Sequence, residues 1–499
     1  MTNDPSSIAL AAEATSALGR FIGKFTVMKN GMRELWLVFI IKLLVIAAYG
    51  LANSTIVLWL EADFGYSDKK ALGMVAAWSL LMSIFTVLVG SLTDAIGLRK
   101  TFFLGVGLCI GSRAVMAFTS TEWLALAGGL FPLAVGEALT GPVLVSAVRR
   151  YSNTQQRSIS FSMVYTMMNV GFLVGSLLFD YVRKGLGEHG HLNLPGLRLT
   201  TYQTLLLVSC VIECGILPLI FCLREGAEAT DEGVKITPRE SLHRHEKFLT
   251  SLALTLRDTV KDTASVFKKL WQQAGFYRLL AFLGLIAFLK LIFIQMYYVF
   301  PAFGIRVLGD GAPVGRLWAI NSIFVIILVP IVGALTQRFS AYAMVILGGL
   351  ISVASVFIMA LPTAWFEPLA NGVVAKWIGG WYLGLHGNIH PYYVMIALFV
   401  VLLSVGESFY SPRVYEYAAA IAPKGQEASY SALSYVPLLL AKLLIGGFAG
   451  TLLKTYCPEH GDRHPETMWL LVALTGLVAP LGLLVFGRYI RVHEAGRED

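Results

Sequence analysis

Apolar positions in this chain run in long blocks, parted by short polar stretches, rather than recurring every third or fourth residue. A helix needs ~20 mostly apolar residues to cross the hydrocarbon layer of a bilayer. Twelve blocks reach that length: 35–60, 72–95, 101–119, 123–147, 159–182, 201–223, 278–305, 316–337, 341–361, 392–413, 429–453 and 467–489. The ~10-residue alternating segments of an outer-membrane barrel are absent. The pattern predicts an all-α membrane protein with twelve transmembrane helices.

Composition agrees. Hydrophobic residues make up 56% and charged residues 14% of the 499, roughly half of the ~25–35% charged fraction a soluble surface carries. Aromatics at 12% exclude a disordered chain, and five cysteines are too few for a disulfide scaffold. Cys210 and Cys214 stand one helical turn apart, but buried thiols pack as small apolar groups, and no metal site is expected. The net charge of +8 suggests nucleic acid only until the charges are placed. Lys and Arg divide as 25 on one side of the spans, 10 on the other and 4 within them. The excess marks the cytoplasmic side, with both termini on it, and the expected partner of the basic loops is anionic lipid.

Five segments follow. Residues 1–34 form a cytoplasmic N-terminal stretch without the apolar core of a signal peptide, in which Leu18, Phe21, Ile22 and Phe25 suit a helix on the membrane surface. Residues 35–223 and 278–489 hold six spans each. Residues 224–277 link them and include an amphipathic helix with Phe248, Leu252, Leu256, Val260, Phe267 and Leu270 on one face and Lys261, Lys268 and Lys269 on the other. Residues 490–499 form a cytoplasmic tail.

The two six-span segments repeat. Gly136-Glu137, Pro142, Gln156 and Tyr165 recur as Gly406-Glu407, Pro412, Gln426 and Tyr435, every pair 270 residues apart. Gly90-Ser-Leu-Thr93 closes span 2 and Gly333-Ala-Leu-Thr336 closes span 8, while Lys42 and Lys290 stand at similar depth in spans 1 and 7. The expected architecture is two pseudo-symmetric six-helix bundles.

Gly90-Ser-Leu-Thr-Asp94-Ala-Ile-Gly97-Leu-Arg99-Lys100 resembles the signature between spans 2 and 3 of the major facilitator superfamily, G-x-L-x-D-x-x-G-x-R-K. The resemblance implies a gating motif of Gly90, Asp94, Gly97, Arg99 and Lys100, with Asp94 and Arg99 making charge-assisted contacts across the halves in one state. The second half has Gln337 in the place of Asp94, which predicts a one-sided lock. Within the superfamily, Arg157 to Gly171, with Phe161, Tyr165, Asn169 and Gly171 at F-x-x-x-Y-x-x-x-N-x-G spacing, is similar to span 5 of the proton-coupled oligopeptide transporters. Ala319-Ile-Asn321 with Pro330, and Ser404 to Pro412 ending in Ala422-Pro423, resemble their spans 8 and 10. Where those transporters carry E-x-x-E-R-F in span 1, this chain reads Ile40-Ile-Lys42-Leu-Leu-Val-Ile-Ala-Ala48, and Glu137 stands near the position of their span-4 lysine.

Charges inside a bilayer cost ~2.5–3.5 kcal/mol each even on the lenient scale, so they pair or face water. Lys42, Arg113, Glu137, Glu213, Lys290, Glu407 and Lys442 are such charges. Superfamily members line the central cavity with spans 1, 4, 7 and 10, which implies a substrate or proton cavity set of Lys42, Glu137, Lys290 and Glu407. The competing reading of this set is static ion bridges between helices. Tyr165, Asn169, Gln295, Tyr298, Asn321 and Tyr435 add orienting hydrogen bonds.

No nucleophile constellation, Walker loop or cofactor motif is present, so the chain reads as a non-enzyme without cofactors. The expected activity is secondary transport of a small zwitterionic solute, a peptide or amino-acid derivative, by proton-coupled symport and alternating access. Glu407 is the first candidate for the proton and Glu137 the second. Proton-coupled export of amphipathic cations or lipid-like compounds is the alternative within transport, and a transport-inactive receptor or scaffold the alternative outside it. The expected partners are a small-molecule substrate, protons and membrane lipids; the expected setting is a monomer in a bacterial inner membrane.

Overall fold

The computed structural model describes residues 27–153, 156–231, 233–236, 257, 271–336, 339–421 and 436–491. Most of the N-terminal segment, the amphipathic linker helix, the C-terminal tail, Gln337, Arg338, Gln426 and Tyr435 lie outside the described residues. Within them, the twelve apolar blocks form twelve long helical segments. In the first half these are α1 (Arg33–Phe64), α2 (Asp68–Ile96), α3 (Leu98–Phe118), α4 (Phe131–Tyr151, entered through a π-helical stretch), α5 (Arg157–Leu186) and α6 (Thr201–Cys214, continued by Ile216–Phe221). In the second they are α7 (Ala274–Tyr298, continued by Phe300–Leu308), α8 (Val314–Leu335), α9 (Ala341–Ile358), α10 (Pro391–Ile421), α11 (Val436–Tyr456) and α12 (Pro465–Ile490). Two antiparallel hairpins sit in connections: β1 (His191–Leu194) pairs with β2 (Leu197–Thr200), and β3 (Ala227–Thr230) with β4 (Gly233–Ile236).

Local chemistry sets the helix ends. Gly65 stops α1 at φ +65°, where its N–H and that of Tyr66 reach the carbonyls of Glu61 and Leu60. Thr200 and Gln203 form a reciprocal capping box that starts α6, and the Ser340 hydroxyl accepts from the Ala343 N–H at the start of α9. Gly97, at φ +90°, turns the chain between α2 and α3, a conformation that explains the glycine in that motif.

Packing repeats helix for helix. In the first half α1 lies on α5 and α6, and α4 on α2 and α3; in the second, α7 lies on α11 and α12, and α10 on α8 and α9. The duplicated Gly-Glu pair has a physical role in this. A Cβ added at Gly136 would stand 3.0 Å from the Gly105 carbonyl of α3, and one added at Gly406 would stand 2.7 Å from the Gly348 carbonyl of α9. Each glycine therefore lets two backbones touch, and each following glutamate is carried inward by that crossing. Gly171 and Gly175 do the same for α5 against α1.

The exterior is apolar and the interior carries charge. Leu335 and Val485 are about 70% exposed, whereas Arg113, Glu213 and Lys442 are 3% exposed or less. That inversion suits a chain whose surroundings are hydrocarbon, and the protein is a multi-pass integral membrane protein. The halves meet through α2 against α11 and α5 against α8, again a symmetric pair. Below, the face bearing the connection between the halves is the linker face, and the opposite one the far face.

Candidate functional site

Each half brings its own lysine and glutamate together. In the second half Lys290 of α7 and Glu407 of α10 interact through space. The Lys290 ammonium lies 3.4 Å from the Ser411 hydroxyl and over the rings of Tyr410 and Phe293, at 4.9 and 5.4 Å. The Asn321 amide of α8 donates to Glu407 at 3.0 Å and to the Ser404 hydroxyl at 3.1 Å. In the first half Lys42 of α1 interacts through space with Glu137 of α4. Lys42, Lys290 and Glu407 are each partly accessible.

The halves differ in what else holds the glutamate. Glu137 bonds the guanidinium of Arg113 on α3, which also donates to Glu213 of α6 at 3.2 Å. Reasoning from sequence set Arg113 and Glu213 aside because spans 3 and 6 usually pack outside a cavity. The structure ties both to a candidate cavity residue. The signal was legible as three unlike charges inside one six-span half.

Between the halves lies an aromatic and polar layer. Lys442 of α11 reaches the Tyr49 hydroxyl of α1 at 3.2 Å and lies 5.5 Å from the Trp78 ring of α2. The Tyr298 hydroxyl donates to Asn53 of α1 at 3.1 Å, joining α7 to the other half. Tyr297 packs on Phe172 and Trp318, at 5.4 and 5.6 Å between ring centres. Gln295 is buried, and its side-chain nitrogen has no hydrogen-bond partner among the described residues. The Asn169 amide donates to the Tyr165 carbonyl one turn earlier, so those two residues support α5. Tyr435 lies outside the described residues. Sequence reasoning passed over Tyr49, Asn53 and Trp78, because aromatic and amide residues in apolar spans pack far more often than they bind.

The far face is closed by charge. Arg306, in the continuation of α7, grips both oxygens of Asp68 at 2.7 and 3.0 Å, Glu61 at 3.3 Å and the Cys457 carbonyl at 2.9 Å. Burial disfavours its charge, but the Asp68 and Glu61 carboxylates outweigh that and raise its pKa. Asp180 of α5 accepts the N–H groups of Gly315 and Arg316 at 2.9 and 2.6 Å, so a carboxylate of one half caps the N-terminus of α8 in the other. Arg183 joins Glu188 to the Ala312 carbonyl at 3.2 Å. A void beside this lock, lined by both halves through Ser54, Ser176, Met296 and Trp318, measures about 10 Å³, too little for more than one water.

The motif between α2 and α3 is placed only in part. Gly90 and Asp94 lie in the last turns of α2, and the Asp94 side chain is outside what is described. The Arg99 guanidinium lies 5.9 and 5.6 Å from the rings of Phe103 and Phe221, both in its own half, and Lys100 is exposed.

A family model described as Major Facilitator Superfamily matches residues 38–385. No curated protein matches the sequence. Solved structures match in shape. A POT family transporter in complex with 5-aminolevulinic acid shares 14% identity and a TM-score of 0.67 over 92% of this chain and 97% of its own. A structure solved to study substrate recognition in proton-dependent oligopeptide transporters shares 18% at 0.65, over 92% and 98%. A bacterial homologue of the human drug peptide transporters shares 18% at 0.64, over 92% and 99%. At such identities the likeness is one of fold.

Proposed function

The chain belongs to the major facilitator superfamily and is a membrane transporter; on that premise we propose that it moves a small zwitterionic solute, a peptide or amino-acid derivative, by proton-coupled symport. The observation that carries this reading is the duplicated Lys–Glu set, Lys42 with Glu137 and Lys290 with Glu407, of which Lys42, Lys290 and Glu407 are partly accessible. A zwitterion offers one carboxylate and one ammonium, which satisfies both signs of charge without leaving either unpaired in a low-dielectric space.

Roles follow from geometry. The Lys290 and Lys442 ammonium groups bond hydroxyls and lie over ring faces, and they suit a substrate carboxylate. Glu407, oriented by Asn321, suits the substrate ammonium or a proton. Glu137 is held more firmly, by Arg113, and ranks second for the proton. A carboxylate that takes a proton loses its charge, which lets an empty or loaded site cross between states at tolerable cost. The fold neighbour that holds 5-aminolevulinic acid, itself an amine and a carboxylate on one short chain, supports this substrate class. With the basic linker face taken as the cytoplasmic one, the closed far face supports an inward-facing reading of an alternating-access cycle. The two lysines near the centre disfavour a purely cationic substrate.

The test is uptake of a labelled di- and tripeptide pool into proteoliposomes, with and without an inward proton gradient, for wild type and Glu407→Gln. Gradient-driven uptake that is lost in the variant is the expected result. Folded wild-type protein that takes up none of the pool refutes the peptide substrate and leaves the transporter fold intact.

A further inference from the structure

Arg113 carries two carboxylates on one guanidinium. Glu137 bonds Nη2 and Glu213 bonds Nη1 at 3.2 Å, with Arg113 fully buried, Glu213 1% exposed and Glu137 9% exposed. One cation balances one carboxylate, so a fully ionised triad leaves a net negative charge in the interior of a membrane protein.

The two carboxylates are not equivalent. Glu137 is also reached electrostatically by Lys42 and by Lys442. Glu213 is influenced by Arg113 in its favour and by Glu137 against it. The other titratable groups around the triad are thiols: Cys109 on α3, and Cys210 and Cys214 on the same helix as Glu213. One oxygen of Glu213, Oε1, is buried without a hydrogen-bond partner among the described residues, as is Nε of Arg113. A buried carboxylate oxygen with neither donor nor cation on it is an unfavourable anion and a good site for a hydrogen.

We infer that Glu213 is a proton-binding site of the first half, distinct from the Lys–Glu set, and that its proton is exchanged with water as Glu137 shifts between Lys42 and Arg113. The balance is simple. When Glu137 takes Arg113 for itself, Glu213 binds one proton and becomes a neutral acid. When Lys42 draws Glu137 away, Arg113 is freed to stabilise the Glu213 anion and the proton leaves to water. Lys42 belongs to the proposed substrate set and is partly accessible, so substrate binding there reports to Glu213 through Glu137 and Arg113. This assignment rests on the proton-coupled reading for its transport arm only.

Infrared difference spectroscopy of purified protein, with pH as the perturbation and no substrate present, tests the site itself. Wild type should show a protonated-carboxyl band that is lost reversibly as pH is raised. E213Q should abolish it, and E137Q, which leaves Arg113 to the Glu213 anion alone, should move its loss to lower pH. No such band in wild type, or one unchanged in E213Q, overturns the assignment. Should E213Q fail to fold, E213D keeps the acid and must move the band; an unmoved band overturns it as well. In proteoliposomes with the labelled peptide pool, E213Q should lose gradient-driven accumulation and keep counterflow, which needs no net proton movement. Accumulation that survives in E213Q refutes a coupling role. A wild type that transports no peptide refutes the substrate reading instead, and the spectra still decide the proton site.

Discussion

Asp180→Ala removes a carboxylate that holds the two halves together on the far face. The wild-type side chain accepts two backbone N–H groups of α8, at 2.9 and 2.6 Å, and is buried. Hydrogen bonds to a charged group contribute ~1.5–3 kcal/mol each. Opening the far face returns both amides to water, which recovers part of that. A net loss of about 2–4 kcal/mol from the closed state remains, and at 1.4 kcal/mol per decade the closed-to-open ratio falls about 30- to 700-fold. Spin labels at His191→Cys in the β1–β2 hairpin and Glu459→Cys beyond α11 span the two halves at exposed positions. The exposed Cys214 and Cys222 are first replaced by serine. Double electron–electron resonance should show the short separation of wild type giving way to a longer one in Asp180→Ala. Asp180→Asn, which keeps an acceptor oxygen but not the charge, should fall between. An identical distance distribution in folded wild type and Asp180→Ala refutes the reasoning, because it means the carboxylate contributes nothing to closure.

Other outcomes follow from the same geometry. Arg306→Gln breaks the bidentate grip on Asp68 and should populate the open far face in the same label pair, with the Arg306→Asp/Asp68→Arg exchange restoring closure in part. Gly406→Leu drives a side chain into the Gly348 carbonyl and should lower thermal stability by at least the ~1–3 kcal/mol of an overpacked core, while Gly107→Ala, which meets open space, should not; equal melting of the two variants contradicts the close-crossing account. Burial pushes the Glu188 carboxyl up, but the bonds from Arg183 and Tyr202 outweigh that and hold it below its ordinary value. Its contribution to closure is therefore complete above the ordinary carboxylate range and lost as pH falls through the lowered value. Wild type and Glu188→Gln should differ in far-face distances at and above about pH 4.3 and converge only as pH falls through the lowered value beneath it; convergence already at neutral pH counts against the assignment.

Much of this protein is written locally in its chain. Twelve apolar blocks became twelve helical segments because hydrocarbon offers backbone groups no partner, so each block must satisfy its own hydrogen bonds as a helix. The repeat of Gly136-Glu137 as Gly406-Glu407 located the matching crossings of α4 on α3 and α10 on α9, because only a residue without a side chain lets those backbones touch. Lys42, Glu137, Lys290 and Glu407 stood out because charge is costly in a span. Their partners did not. Nothing near Glu137 in sequence announces Arg113, and Lys442 meets Tyr49 across 393 positions. The far-face lock was equally hidden: Asp180, Arg183 and Arg306 sit at span ends, where charges ordinarily face water, and their bonds across the halves formed only when α5 met α8 and α7 met α2. Hydropathy is a property of each residue and survives in the linear order. Which buried charge neutralises which depends on helix rotation and depth, set by packing across the whole bundle, so the tertiary structure alone decided that Arg113 would hold two glutamates and that Lys442 would meet a tyrosine hydroxyl.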